Sequence, residues 1–247
     1  MSRPVTLLRV PVKMHLPPDC EKVTPVIIRE REWESASTQW ILEKIQRGDT
    51  FIDVGAHAGY YSLIVAKCLG ETGRVFAFEP DPTNFAILKQ NVELNNFQNI
   101  TIEQKAVADQ TCLRRLFLSE TNSGDHRLSD DGERRSVEVD CVSLDEYMGG
   151  KGPVDCMKID TQGAEVQVLM GMRYLVRANP QLRLLIEFWP FGLDRMGSNG
   201  GALLLLLEHM GFGVSHGEMG RLLAAYTIEN RRHVNLMLER TSFGAEA

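Results

Sequence analysis

The stretch Phe51-Ile52-Asp53-Val54-Gly55-Ala56-His57-Ala58-Gly59-Tyr60-Tyr61 decides the fold. Its first residues close a short apolar run, Thr50 to Val54, that reads as a buried strand. Its last residues open a helix, Tyr60 to Leu69, stopped by Gly70. A strand that passes into a helix through glycines puts a ligand site at the carboxyl end of a sheet. Gly55 and Gly59 let the backbone bend and let a ligand approach where a Cβ would stand in the way. Asp53 ends the strand, where it either helps hold a positively charged ligand group or caps the turn.

Downstream, Arg74 to Phe78 is a second strand, and Glu79 ends it twenty positions after Gly59. A carboxylate there can accept hydrogen bonds from two ribose hydroxyls. Asp81-Pro82 then opens a helix to about Leu94, with Pro at the first helical position and Asp before it. Asp81 is read first as that N-cap and second as an adenosine contact. Ile100 to Gln104, Val154 to Ile159 and Leu182 to Phe188 are further strands. Their alternation with helices predicts a doubly wound, mostly parallel α/β sheet. Gly211 to Ser215 and Val234 to Glu239 are expected to pair antiparallel at its edge.

Residues 109 to 153 break that rhythm. Leu113 to Ser119 and Ser136 to Cys141 alternate like strands around a polar, glycine-bearing link. They predict a hairpin insertion with a mobile tip that governs the choice of acceptor. Upstream, Trp33 to Ile45 recurs at helical spacing and covers the first strand. Residues 1–30 read as an N-terminal extension, 31–240 as one domain and 241–247 as a tail.

The turn suits one kind of nucleoside. A dinucleotide fingerprint would place glycines at positions 57 and 60, where this chain has His57 and Tyr60. No Gly-Lys-Ser/Thr phosphate loop is present. S-adenosylmethionine, a nucleoside without phosphates and with a cationic end, fits better. A nicotinamide-dependent oxidoreductase and a non-catalytic nucleoside-binding module are the alternatives. Lys158-Ile159-Asp160-Thr161-Gln162-Gly163-Ala164-Glu165 places Asp160 at the end of the fourth strand, beside the first turn. That carboxylate can orient a hydroxyl, accept its proton, contact the ligand's amino group or cap the next helix. His126 is a second candidate base. No metal is expected, although a divalent ion on Asp160 and Glu187 is chemically possible. Phe188 and Trp189 are expected to wall the substrate side.

Composition narrows the partners. The 247 residues are 43% hydrophobic and 24% charged, with net charge −6, so a phosphate-tracking surface is not expected and nucleic acid is a poor partner. Five cysteines without C-x-x-C spacing argue against a zinc site or a disulfide framework. The N-terminus has no long apolar core, and no run is long enough to span a bilayer. A cytoplasmic protein without membrane partners is expected; its oligomeric state is open.

Asp53 to Leu63, Phe78-Glu79-Pro80-Asp81, Ser143-Leu144-Asp145 and Lys158 to Glu165 together resemble the FkbM-type methyltransferases. The resemblance runs from about Glu32 to Phe212. It implies a seven-stranded class I methyltransferase sheet, Rossmann-like, with a reversed last strand, and S-adenosylmethionine as methyl donor. It implies O-methylation of a small-molecule or sugar hydroxyl. By position it puts Asp53, Gly55 and Gly59 at the methionine part, Glu79 at the ribose, residues around Ala106 near the adenine and Glu34 near the donor, with Ala56, Tyr60 and Asp81 also counted among the donor-binding residues. His57 and Gln162 depart from the residues usual there, Asn and Glu.

Overall fold

The computed structural model describes residues 4–240 apart from Asp131 and Glu133. The proposed tail, 241–247, lies outside the described residues. In chain order the elements are β1 (Val5–Thr6), β2 (Lys13–Met14), α1 (Val23–Glu30), α2 (Ser35–Lys44), β3 (Thr50–Val54), α3 (Tyr60–Leu69), β4 (Arg74–Phe78) and α4 (Pro82–Leu94). Then come β5 (Ile100–Glu103), β6 (Ala106–Val107), β7 (Cys112–Phe117), β8 (Ser136–Val142), α5 (Leu144–Tyr147), β9 (Cys156–Ile159), α6 (Glu165–Met170) and α7 (Arg173–Ala178). The last are β10 (Arg183–Phe188), α8 (Pro190–Arg195), α9 (Gly200–His209), α10 (His216–Ala225) and β11 (Val234–Glu239).

Every residue of β3 is buried, as expected of a central parallel strand covered on both faces. Its side chains alternate between two cores. Ile52 and Val54 face a cluster that includes Leu169, Leu175 and Leu203 of α6, α7 and α9. Phe51 faces a second cluster with Ile41 of α2, Leu63 of α3 and the N-terminal Leu7, Val12 and Met14. Each such buried side chain contributes roughly 1.5–3 kcal/mol. Residues 4–30 thus supply part of the core.

The main sheet has the order β11-β10-β9-β3-β4-β5, parallel except for β11. From β3 the chain builds outward through β4 and β5, then returns to the other side with β9. The switch therefore falls between β3 and β9, the crevice where such sheets bind ligands. Val54 and Ile159 are in register there, so the residues just beyond them, Gly55 and Asp160, flank the crevice.

The class I arrangement and the reversed last strand are present, and among the described residues the main sheet has six strands, where the resemblance implies seven. Of Gly211 to Ser215 only Phe212 pairs, in an isolated bridge to Arg240, supported by Gly213 N–H donating to Glu239 O at 3.2 Å. Glycines at 211 and 213 and the capping box that opens α10 at Ser215 leave too few residues for a strand. Helix α10 itself was not anticipated, although Ser215 and Glu218 stand at capping-box spacing.

The hairpin is present as β7 and β8, paired antiparallel. It does not hang free, because β8 also pairs in parallel with Ala106–Val107 to make a separate three-stranded sheet. Among the described residues no helix is long and apolar enough to cross a membrane. All five cysteines are free.

Candidate active site

A cavity of about 560 Å³ opens at the switch point. That volume lies within the usual range for small-ligand sites. Its walls come from the β3–α3 turn, the end of β4, Ala106, the end of β9, the end of β10 and the hairpin tip. Of the residues nominated from sequence, Glu34, Gly55, Ala56, Tyr60, Glu79, Ala106 and Asp160 line it.

Asp53, Gly59 and Asp81 do not line it. Asp53 shares the Phe51 face of β3, which turns it toward α3. There its Oδ2 accepts from Ser62 N–H at 3.0 Å and Ser62 Oγ at 2.6 Å. It reaches the site through Lys158, whose Nζ is 3.6 Å from Oδ1. Gly59 takes φ +91°, and a Cβ on it would press on Leu88 of α4. Gly55 takes φ +76°, and its missing Cβ makes room for the Asp160 carbonyl. Both glycines serve close packing of the protein on itself rather than clearance for a ligand. Asp81 is the N-cap of α4, accepting from Thr83 and Asn84 N–H at 3.0 and 2.8 Å.

Glu79 is 5% exposed. Its Oε2 accepts from His57 N–H at 2.7 Å and its Oε1 from Asp81 N–H at 3.0 Å, so two backbone amides aim the carboxyl at the cavity. Burial, helped by the nearby Asp81, pushes its pKa up to about 7 despite those amides. His57 sits in the left-handed region at φ 52°, which Asn, Asp and His tolerate better than other side chains. That conformation accounts for Asn being usual at this position. Burial, with Lys158 and His126 adding, lowers its pKa to about 4, so the imidazole is neutral.

Lys158 was quoted in the motif but given no role. Two residues before Asp160 on one strand, it shares that residue's face. Its Nζ donates to Gly55 O at 2.7 Å and lies 3.6 Å from Asp160 Oδ2. Burial pulls its pKa down, but Asp160, Asp53, Glu34 and Glu187 outweigh burial and raise it. The ammonium therefore stays charged under four carboxyl groups. A lysine inside the otherwise apolar Cys156–Ile159 strand was the available signal.

Glu34 caps α2 from a left-handed backbone at φ 43°. Its Oε2 accepts from Tyr61 OH and from Asn235 Nδ2, both at 2.8 Å, which ties the first helices to the reversed strand β11. Burial and then Asp160 raise its pKa. On the other flank Gln162 Nε2 donates to Asp160 Oδ1 at 2.7 Å and to Glu187 Oε2 at 3.1 Å. Burial, with Asp160 and Glu165 adding, pushes Glu187 well up toward its protonated form. Asp160 keeps 28% side-chain exposure while Lys158 and Gln162 fix its orientation. Among the described residues no group of His, Cys, Asp and Glu side chains is arranged to hold a metal ion. Glu165 accepts from Thr161 and Gly163 N–H and braces the turn.

The hairpin tip closes the cavity from above, against the β3–α3 turn. Ser123 Oγ shares a 2.9 Å hydrogen bond with His57 Nε2, and Asn84 Nδ2 donates to Ser123 O at 2.9 Å. His126 accepts from Ser119 N–H at Nδ1 within the hairpin, and its Nε2 faces Asp81 at 3.9 Å. The tip is thus hydrogen-bonded to the turn beside Glu79. Phe188 is core, fully buried edge-on to Tyr226, while Trp189 lines the cavity.

The model of the methyltransferase FkbM domain matches residues 53–214, from Asp53 in β3 to just beyond Phe212. The chain belongs to the FkbM methyltransferase family. S-adenosylmethionine is the cofactor of that family, and the residues fit it: carboxyl groups crowd around Lys158 at the cavity wall, suited to a sulfonium and an ammonium, and Glu79 lines the same cavity. Two curated relatives are similar over part of their length. Methyltransferase 1 of Beauveria bassiana is 24% identical over 50% of this chain and 59% of its own. A protein-L-isoaspartate O-methyltransferase of Methanococcoides burtonii is 28% identical over 38% of this chain and 50% of its own. The matched region thus spans just over half the length of these relatives. Among solved structures, a SAM-dependent methyltransferase of Aquifex aeolicus superposes with TM-score 0.43 at 18% identity, covering 78% of this chain and 90% of that one.

Proposed function

We propose that this chain transfers the methyl group of S-adenosylmethionine to a hydroxyl oxygen of a small molecule or sugar, with Asp160 as the base. The observation that supports this most is the pairing of Glu79 and Asp160 in one cavity. An amide-anchored carboxyl suits a ribose, and a partly exposed carboxylate stands beside the carboxyl-rich end. The bound donor supplies an activated methyl on a sulfonium, so the protein's part is alignment and proton removal. Holding nucleophile and donor in line can supply roughly 7–11 kcal/mol of the barrier.

Glu79 accepts from the ribose hydroxyls, and Ala106 and Ala56 border the adenosine. Glu34 and Asp160 face the cationic end. Lys158 and Gln162 hold Asp160 so that one carboxylate oxygen meets the acceptor hydroxyl. That oxygen takes the hydroxyl proton as the oxygen–methyl bond forms and the sulfur–methyl bond breaks. The products are an ether, a neutral thioether and a protonated Asp160. Family membership leaves the nicotinamide alternative without support.

The test is labelled methyl transfer over a library of hydroxyl-bearing metabolites, followed by Asp160→Asn. General-base loss predicts a fall in kcat of about 10²–10⁴-fold, larger than the loss of donor affinity that comes from removing one of the carboxylates at the cationic end. Donor binding without turnover on any hydroxyl acceptor would sink the O-methyl reading. Unchanged kcat in the variant would sink the role of Asp160.

A further inference from the structure

Beyond Glu187 the chain runs straight into an aromatic ledge on the cavity wall, Trp189 and Phe191. An apolar ledge would suit a flat neutral acceptor, but its ring faces are taken. The Arg127 guanidinium lies 4.7 Å from the centre of the Trp189 ring, and that of Arg231 lies 4.5 Å from the centre of Phe191. A guanidinium stacked on a ring keeps its N–H edge pointing outward, the geometry that matches a carboxylate or phosphate.

The two arginines differ in what they have left to give. Arg127 is 8% exposed and donates through Nε and one terminal nitrogen to Asp125, both at 2.8 Å. Asp125 is shared with Arg134, at 2.8 Å. Arg231 is exposed, and no carboxylate among the described residues lies within ion-pair distance of it. Its place is nonetheless built. Its backbone is held left-handed at φ 52°, Trp189 Nε1 donates to its carbonyl at 3.1 Å, and Asn230 Oδ1 accepts from the next amide at 3.0 Å. The cavity thus presents carboxyl groups around Lys158 and guanidinium groups on the ledge. The ledge adjoins Asp160, since Gln162 bridges Asp160 to Glu187 and Trp189 follows Glu187 by two residues.

We propose that the acceptor is an anionic hydroxy compound, whose carboxylate or phosphate group is held by Arg231 on the ledge that also carries Arg127, while its hydroxyl meets Asp160. This rests on the methyl-transfer reading above, which assigns Asp160 to the acceptor. It adds the substrate class: hydroxy acids or sugar phosphates rather than neutral alcohols, phenols or sugars.

The test compares matched probes on the full chain, with and without S-adenosylhomocysteine: 3,4-dihydroxybenzoate against 3,4-dihydroxybenzamide, and glucose 6-phosphate against glucose. Ligand-observed NMR titration reads binding, and labelled methyl transfer reads turnover. At least one anionic probe should bind about tenfold tighter than its neutral partner, as expected for one charge-assisted pair. The better of the two pairs tells carboxylate from phosphate. Arg231→Gln should abolish that preference while S-adenosylhomocysteine affinity stays at the wild-type value, which also certifies that the variant is folded. Neutral probes binding as well as anionic ones, or a preference that survives Arg231→Gln, would overturn the inference and leave methyl transfer standing. Failure of S-adenosylhomocysteine to bind, with the anion preference intact, would instead overturn the methyl-transfer reading.

Discussion

Gly55 and Asp160 touch across the switch point of the sheet: a Cβ on Gly55 would overlap the Asp160 carbonyl oxygen, and Gly55 already needs φ +76°. The contact clamps the donor turn against the strand end that carries the proposed base. Gly55→Ala should therefore lower stability by more than about 1 kcal/mol, from left-handed strain and steric conflict together. Donor binding should fall with it, because the turn and Asp160 can no longer sit at their present spacing. Urea melts and calorimetry measure the two effects. A variant with the wild-type midpoint and wild-type donor affinity would show that the contact is slack.

Lys158 compensates four carboxyl groups, with Asp53 and Asp160 each 3.6 Å away. Removing one partner of a buried pair costs roughly 3–5 kcal/mol, because the stranded charge stays buried. Lys158→Met is expected to destabilise by that order, and Asp53→Asn in the same chain should restore part of it. A double-mutant cycle in denaturant reads the coupling. Strict additivity of the two changes would mean that lysine and aspartate do not act on each other.

Glu79 gives opposite pH trends for stability and binding. Its pKa is pushed up to about 7 by burial, above the ordinary glutamate value, so the folded state holds its proton where the unfolded state has lost it. Stability supplied by this group is full below the ordinary value and is lost as pH rises toward and through about 7. Donor affinity should rise over the same window, because the ionised carboxylate is the stronger acceptor for ribose hydroxyls. Glu79→Gln should flatten both curves near neutrality. Calorimetric titrations and melts between pH 5 and 8.5, about the window set by this shift, check it. Donor affinity that falls as pH rises would place the ribose elsewhere.

Ser123 fastens the hairpin tip to the donor turn through His57. Ser123→Ala removes one part-buried hydrogen bond, worth about 1 kcal/mol. Amides of residues 121–126 should then exchange faster, and S-adenosylhomocysteine should dissociate faster, with global stability nearly kept. His57→Asn should keep the left-handed turn, since Asn tolerates that backbone. It should show the loosened tip without loss of fold. Protection factors at 121–126 unchanged in both variants would show that the tip is held by other contacts, such as Asn84 to Ser123 O.

What the sequence determined by itself was whatever is local in the chain. The period of the apolar residues, the glycine turn after a buried strand, Asp81-Pro82 at a helix start and the carboxylates at strand ends are all set by neighbouring residues. They were enough for the fold class, the hairpin and the placing of Glu79 and Asp160 on one site, while Glu34 entered only through the family resemblance. The tertiary structure decided which way each side chain turns and what it meets. Asp53 and Asp160 looked alike as strand-end acids, yet the pleat sends Asp53 back to Ser62 while Asp160 remains at the crevice. The glycines looked like room for a ligand, yet the space they leave is filled by a carbonyl oxygen and a leucine methyl. Lys158 had no visible role until carboxyl groups from four separate segments gathered around it. The same holds for Arg127 and Arg231, more than a hundred residues apart in the chain and both against Phe191. Electrostatics and packing act through space, so a partner distant in sequence leaves no periodic trace in it, and only the folded sheet brings these groups together.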